Sequence, residues 1–218
     1  MQDPARRRRE FRHHEGTTMS NSHAADPAFW RAGAISATAV MLVILGLLTV
    51  NSLTVITSGG SHVPPYTVIN HQISYQYDPA KDHDMPVIGG EQLLFGQRYD
   101  AQQARAIAAR GKLVIQTRAC IDCHTFLGNG AYFAPDLTKS WLDPAWQQQW
   151  MPMTGSKTPE EAMVKFLMHP DRYPTWSREM PNMHLTQQDA EAVVAYLKWM
   201  SAINTNGFPA NFGHAPQS

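Results

Sequence analysis

The 218-residue chain carries 18 basic and 18 acidic side chains, so no net field draws nucleic acid or a strongly charged partner. Its length holds one globular domain with attachments and argues against a two-domain enzyme, because domains usually run to about 100 to 200 residues. The two cysteines, Cys120 and Cys123, stand too close together to form the disulfide framework of a small secreted domain.

Charge is nevertheless segregated along the chain. A basic head, Arg6 to Arg9 with Arg12, precedes a stretch from Ala32 to Tyr77 without Asp, Glu, Lys or Arg. Within it, Ala32 to Ile56 is long enough to cross a bilayer core, which needs about 20 helical residues. Lipid offers the backbone no hydrogen-bond partners, so the segment is expected to be helical despite its β-branched residues and Gly33 and Gly46. Ser36, Thr38, Thr49, Asn51, Ser52 and Thr54 make it more polar than a lone anchor requires, and suggest a face packed on other membrane helices. A cleavable signal peptide is the alternative. The apolar region exceeds the usual ~7 to 15 residues of such peptides, and no small-x-small cleavage site follows closely. The arginine run places the N-terminus in the cytoplasm and sends the rest of the chain across the membrane. Initiation at Met19 would remove that run and leave Arg31. A twin-arginine export signal is disfavoured, because the run lies too far from the apolar stretch.

Ser58 to Pro65, rich in Gly, Ser and Pro, reads as a linker. From His62 to Tyr99 the composition favours an irregular spacer, with short β-prone pieces at Tyr66–Asn70 and Ile73–Tyr77 that could form a hairpin. Helical patterning begins at Asp100, a candidate cap for Ala101 to Ile115, with Ile107, Gly111 and Val114 on one face. Thr158, Pro159 and Glu161 signal a second helix through Met168, stopped by Pro170 and Pro174. Thr186 and Asp189 open a last one, with apolar residues at Ala190, Val193, Val194, Leu197 and Met200. The expected fold is mainly α.

Between the first two of these helices, Cys120, Cys123 and His124 form Cys-x-x-Cys-His, the pattern by which two thiols attach a haem while the adjacent imidazole reaches its iron. A thioredoxin-like redox pair would want a β-α-β context, and a structural zinc would need a second ligand pair. The sixth iron position is expected to be filled by Met180, in the irregular stretch before the last helix, where Pro181 biases it towards an extended backbone. Met183 is the second choice, and His169 or His184 would give bis-histidine ligation. Met163, Met168 and Met200 read as core filling. Pro135 keeps a free carbonyl that can accept from the other ring nitrogen of His124. Tyr132, Phe133 and Trp176 are candidate haem walls, while Asp136, Asp143 and Asp189 read as turn or cap residues. No nucleophile elbow, phosphate loop or second metal cluster is present. With both axial positions filled, outer-sphere electron transfer is the remaining task. The expected organisation is a cytoplasmic segment over 1–31, a single transmembrane helix over 32–57, an irregular spacer over 58–99, and a class I cytochrome c-like helical domain with its tail over 100–218.

The run Cys-Ile-Asp-Cys-His-Thr-Phe-Leu-Gly-Asn-Gly-Ala-Tyr-Phe-Ala-Pro-Asp-Leu, Cys120 to Leu137, resembles the cytochrome c subunit of bacterial nitric oxide reductases. Met180, Pro181 and Leu185 resemble the same family's ligand loop, and Tyr196 to Pro209 its final helix and tail; Lys198-Trp199 followed by Asn204-Thr205-Asn206 is the most discriminating part. The resemblance implies that His124 and Met180 ligate one covalently bound haem c. It implies that this haem passes electrons from a soluble periplasmic donor, a cytochrome c or cupredoxin, to a large multi-helix haem-containing subunit that joins two NO molecules into N2O. It implies a protein of the bacterial inner membrane with its haem domain in the periplasm. It also implies a calcium ion between the subunits, touched by Gly130 and Tyr132 through backbone oxygens. The competing readings are the monohaem cytochrome subunit of a cbb-type oxygen reductase, a free-standing tethered shuttle, and a haem enzyme such as a peroxidase.

Overall fold

A computed structural model describes residues 26–58, 62–173 and 179–209. The chain divides into two units, Met1–Thr57 and Ser58–Ser218.

Among the described residues, the first unit consists of the helix α1 (Pro27–Ser58), whose segment Pro27–Val55 is long and apolar enough to cross a membrane. It starts five residues before the uncharged stretch because Asp26 caps it, accepting from the Ala28 amide at 2.8 Å, and Pro27 takes the first helical position. Leu42, Leu45, Leu47 and Leu48 are exposed, as befits a helix with lipid for solvent. The polar residues do not collect on one face. Ser36 and Thr54, eighteen residues and so roughly five turns apart, share a side that Thr38 and Thr49 do not.

The second unit is mainly α. Its helices are α2 (Ala101–Thr117), the short α3 (Met151–Thr154), α4 (Pro159–Met168) and α5 (Gln187–Ser201). Each long helix begins at a side-chain cap. Asp100 accepts from Gln103 N while the Gln103 side chain returns the bond, Thr158 accepts from Glu161 N, and Thr186 accepts from Asp189 N. Glu161 reaches the Lys157 amide at 3.0 Å rather than that of the cap residue, so this second box is not fully reciprocal.

α2 and α5 cross at Gly111. A Cβ there would lie 2.0 Å from the Ala192 carbonyl oxygen, so only glycine lets the two backbones approach this closely. Around the crossing, Ala104, Val114, Ile115, Ala190, Val193, Val194 and Leu197 form the centre of the core.

The segment expected as an irregular spacer is largely ordered into a hairpin and a 3-10 turn. Tyr66–Asn70 is a 3-10 turn, and β1 (His71–Asp78) pairs antiparallel with β2 (His83–Glu91) in the register Ile73↔Ile88 and Tyr75↔Pro86. Alternation drives this: Ile73 is buried and Tyr75 half-buried, while Gln72, Ser74 and Gln76 are exposed. Nor does the segment lie loosely over the domain. Val68, Ile69 and Leu94 are core residues, and the Asn70 amide brackets Tyr99 with bonds of 2.6 and 2.9 Å to its carbonyl and amide. Tyr66 stacks on Trp199 at 4.8 Å, and the Trp199 indole donates to Pro64 O at 3.0 Å.

Two lysines are buried in this domain. Lys198 of α5 is fully enclosed, its ammonium 4.9 Å from the Trp141 ring and 3.5 Å from Gln92 Oε1, with Glu160 nearby. Lys139 is 3% exposed and donates to the carbonyls of Ser201 and Ile203 at 3.1 and 2.7 Å, off the end of α5. Burial lowers both ammonium groups from 10.5 to about 8. Lys198 has the weaker compensation, because its bond to Gln92 is long whereas Lys139 holds two carbonyls closely.

Two outcomes are expected. Gly111→Ala should destabilise the domain by about 3 kcal/mol, through overpacking that neither backbone can escape, and lower its melting temperature by roughly 10 °C; an unchanged melt would contradict the close crossing. Between pH 8 and 10 the unfolded chain retains lysine protons that the folded chain has released, so stability to denaturant should rise with pH. Above pH 10 the trend should reverse, because burial raises the Tyr75 phenol and the unfolded chain then loses its proton first. Lys198→Met should flatten the rise, measured as denaturation midpoints at fixed pH values.

Candidate functional site

α2 ends at Thr117, and Ala119 turns left-handed at φ +53° to start a 3-10 turn over Cys120–Asp122. The turn is closed by His124 N donating to Cys120 O at 2.9 Å, which presents Cys120, Cys123 and His124 within one loop. The cysteines are not joined in a disulfide. Burial pushes the Cys120 thiol up, the opposite of what a nucleophilic redox pair needs.

The chain then folds back on this turn. β3 (Thr125–Phe126) pairs with β4 (Asn129–Gly130), and Ala131 N, Ala134 N and Leu137 N donate to Ile121 O, Cys123 O and Thr125 O at 2.9, 2.8 and 2.8 Å. Gly130 is required: its φ is +122°, and a Cβ would stand 2.2 Å from the His124 carbonyl oxygen. This wrapping brings Pro135 O to 2.7 Å from His124 Nδ1. A carbonyl can only accept, so Nδ1 carries the proton at this contact, and Nε2 of the neutral ring keeps its lone pair for a metal.

His124 lines a cavity of about 630 Å³, within the range of roughly 300 to 1,000 Å³ usual for cofactor sites. Cys123 and Pro135 line it from the same side of the sequence, and Met180 and Pro181 from the loop before α5. Met183 instead packs against the core, and neither His169 nor His184 lines the cavity. Met163 and Met200 are buried in the core. The donor set, tautomer and size fit an iron porphyrin: His124 and Met180 would hold its iron, and the thiols of Cys123, which lines the cavity, and of Cys120, which packs beside the core, would attach it.

The walls differ from those expected. Phe133 lines the cavity, but Tyr132 is 80% exposed and does not, its hydroxyl donating to Gly128 O at 3.2 Å. Trp176 lies outside the described residues. The principal wall comes from Trp146, Trp150 and Phe166, whose rings cluster at 4.5 to 6.0 Å, with Tyr173 beside them. Trp146–Trp150 form one π-helical turn, secured by the Trp146 indole donating to Ser140 O at 2.8 Å. None of these aromatics stands out in the sequence as a haem neighbour; the i, i+4 spacing of the two tryptophans is the one local signal they carry.

The carboxylates mostly do local work. Asp143 accepts from Ala145 N at 2.8 Å while also lining the cavity. Asp189 is held below the usual carboxylate range by the Arg110 guanidinium and by Thr186. Among the described residues, no group of three or more His, Cys, Asp or Glu side chains could hold a metal ion. Gly130 and Tyr132 are both exposed.

Residues 108–201 match the cytochrome c family profile. The chain is 32% identical over 117 residues to the C subunit of nitric oxide reductase from Stutzerimonas stutzeri, covering 54% of this chain and 74% of that one. It is 35% identical over 115 residues to the corresponding protein of Paracoccus denitrificans, covering 51% and 71% respectively. The chain belongs to the family of nitric oxide reductase C subunits. Its domain is accordingly a haem-binding cytochrome c, and the cavity beside Cys-x-x-Cys-His is where this family member has room for the group. Like the rest of the fold, this agrees with a mainly α cytochrome c domain preceded by one apolar helix.

Met180→Ala should lower the reduction potential of the haem protein and let carbon monoxide bind its reduced form, read by redox titration and by the absorption spectrum. Unchanged spectra would transfer the role to Met183 or a histidine.

Proposed function

We propose that this chain is the electron-entry subunit of a nitric oxide reductase. In this reading Cys120 and Cys123 would attach one haem c, His124 and Met180 would hold its iron, and Pro135 orients His124. The observation that carries it is the His124–Pro135 contact at 2.7 Å, in a cavity that Met180 also lines. Haem c supplies a one-electron iron couple. The residues of the chain do the rest. The Pro135 carbonyl fixes the imidazole tautomer and raises its basicity. The Met180 thioether favours the reduced state. Trp146, Trp150 and Phe166 wall one side of the cavity, and an iron held by both His124 and Met180 would have no vacancy for substrate. The chain itself is then non-catalytic.

The electron source is a soluble periplasmic protein, a cytochrome c or cupredoxin. The acceptor is the large multi-helix haem-containing catalytic subunit, where NO is reduced. α1 anchors the chain in the bacterial inner membrane, with the arginine-rich N-terminus cytoplasmic and the haem domain periplasmic. The exposed loop bearing Gly130 and Tyr132 offers backbone oxygens to a calcium ion shared with the partner.

The test is purification from membranes in mild detergent, followed by haem staining of the denatured chain and by NO consumption with an artificial electron donor. A covalently stained chain, co-purifying with a large subunit and consuming NO, is expected. Oxygen consumption would shift the assignment to an oxygen reductase, and a solitary stained chain to a tethered shuttle.

A further inference from the structure

The contact between His124 and Pro135 is not self-supporting, because Pro135 lies in a loop with no regular secondary structure. Beside the backbone bonds of Ala134 and Leu137, what holds that loop is a small network on the side chain of the next residue, Asp136, which is half-buried and lines the cavity. One carboxylate oxygen of Asp136 accepts from the Thr125 hydroxyl at 2.6 Å, and the other accepts from the Thr138 amide at 2.8 Å. The Thr138 hydroxyl accepts from Leu127 N at 2.7 Å. Thr125 follows the histidine directly and Asp136 follows the proline directly, so these bonds clamp together the two strands of chain that carry the donor and the acceptor. Thr125 is 2% exposed and Thr138 is not exposed at all, and enclosed hydrogen bonds of this kind hold geometry better than wet ones.

The clamp is itself anchored. Lys139 follows Thr138, and its ammonium binds the Ser201 and Ile203 carbonyls and lies 4.6 Å from the Tyr75 ring centre. The Tyr75 hydroxyl donates to the same Ser201 carbonyl. Through Lys139 the histidine-bearing loop is therefore tied to the end of α5 and to β1.

We propose that Asp136, acting with Thr125 and Thr138, is a positioning residue for the haem: it holds the Pro135 carbonyl against His124 and so helps set the reduction potential. This rests on the haem assignment above. A tightly held acceptor gives the ligand imidazole more anionic character, which stabilises the oxidised iron, and loosening it raises the potential.

Thr125→Val removes the hydroxyl at nearly constant volume and changes no charge, whereas Thr125→Ser restores the hydroxyl. Asp136→Asn keeps an acceptor for Thr138 N and removes the charge. These variants are compared as full-length haem-loaded protein by haem staining, redox titration, and proton NMR of the oxidised form, following the exchange of the His124 Nδ1 proton with solvent. Retained haem, an upward shift of potential and several-fold faster exchange in Thr125→Val and Asp136→Asn, with Thr125→Ser near wild type, are expected. Wild-type potential and exchange in both variants would overturn the proposal. A potential shift in Asp136→Asn alone, with exchange unchanged, would also overturn it, because that is a charge effect without positioning. Absence of haem staining in the unmodified chain would instead sink the haem assignment itself.

Discussion

A single carbonyl organises the proximal side of this domain. The Pro135 carbonyl oxygen can only accept, so His124 Nδ1 must donate to it, and that one-sidedness determines which ring nitrogen is left to hold a metal. Backbone pairing and a few enclosed side-chain bonds bring the two residues together. The turn after α2 closes on Cys120 O, Gly130 passes so near His124 that a side chain is excluded, and the returning strand bonds to Ile121, Cys123 and Thr125. α2 carries the start of this loop, and α5 braces α2 at the Gly111 crossing. The helical core is thus a mounting for a loop whose own chain has almost no regular structure.

Legibility in the sequence followed how local each determinant was. Asp100, Thr158 and Thr186 each announced a helix because a cap needs only residues three apart, and the structure begins α2, α4 and α5 at them. Cys-x-x-Cys-His was legible for the same reason. The hairpin was less so, although Ile73, Tyr75 and Tyr77 alternate with polar residues as a strand should. Its role depends on a distant partner, Ser201 for Tyr75, and that of the 3-10 turn before it on Tyr99 for Asn70 and Trp199 for Tyr66, which no local pattern encodes. The aromatic wall failed for a similar reason. Trp146 and Trp150 face a cavity whose other walls, Phe166 of α4 among them, come from distant parts of the chain. The buried lysines are the extreme case, since Lys139 and Lys198 read as surface residues until the carbonyls and rings that receive them are in place.

Enclosing Lys139 has a structural consequence. Lys139 spans the haem loop, the end of α5 and β1, so the hairpin is joined to the proximal side by the same ammonium that terminates the last helix. A charge in such a place specifies one arrangement of three elements more sharply than an apolar side chain would, because a displaced apolar group loses only contacts, whereas a displaced ammonium is left enclosed without acceptors.

The two sides of the cavity are held by different means. On the histidine side, backbone pairing, the Asp136 network and Lys139 all converge within a few residues. On the methionine side, the loop before α5 is fastened among the described residues by Asn182 donating to Asp171 at 2.6 Å and by His184 N returning to Asn182 at 2.8 Å, with Met183 and Leu185 as its apolar footholds. His184 stands at φ +52° there, an unfavoured conformation for a non-glycine residue. The imidazole side is thus fixed mainly by backbone pairing between neighbouring turns of chain, and the thioether side, among the described residues, by the Asn182 side chain bridging Asp171 and the His184 amide.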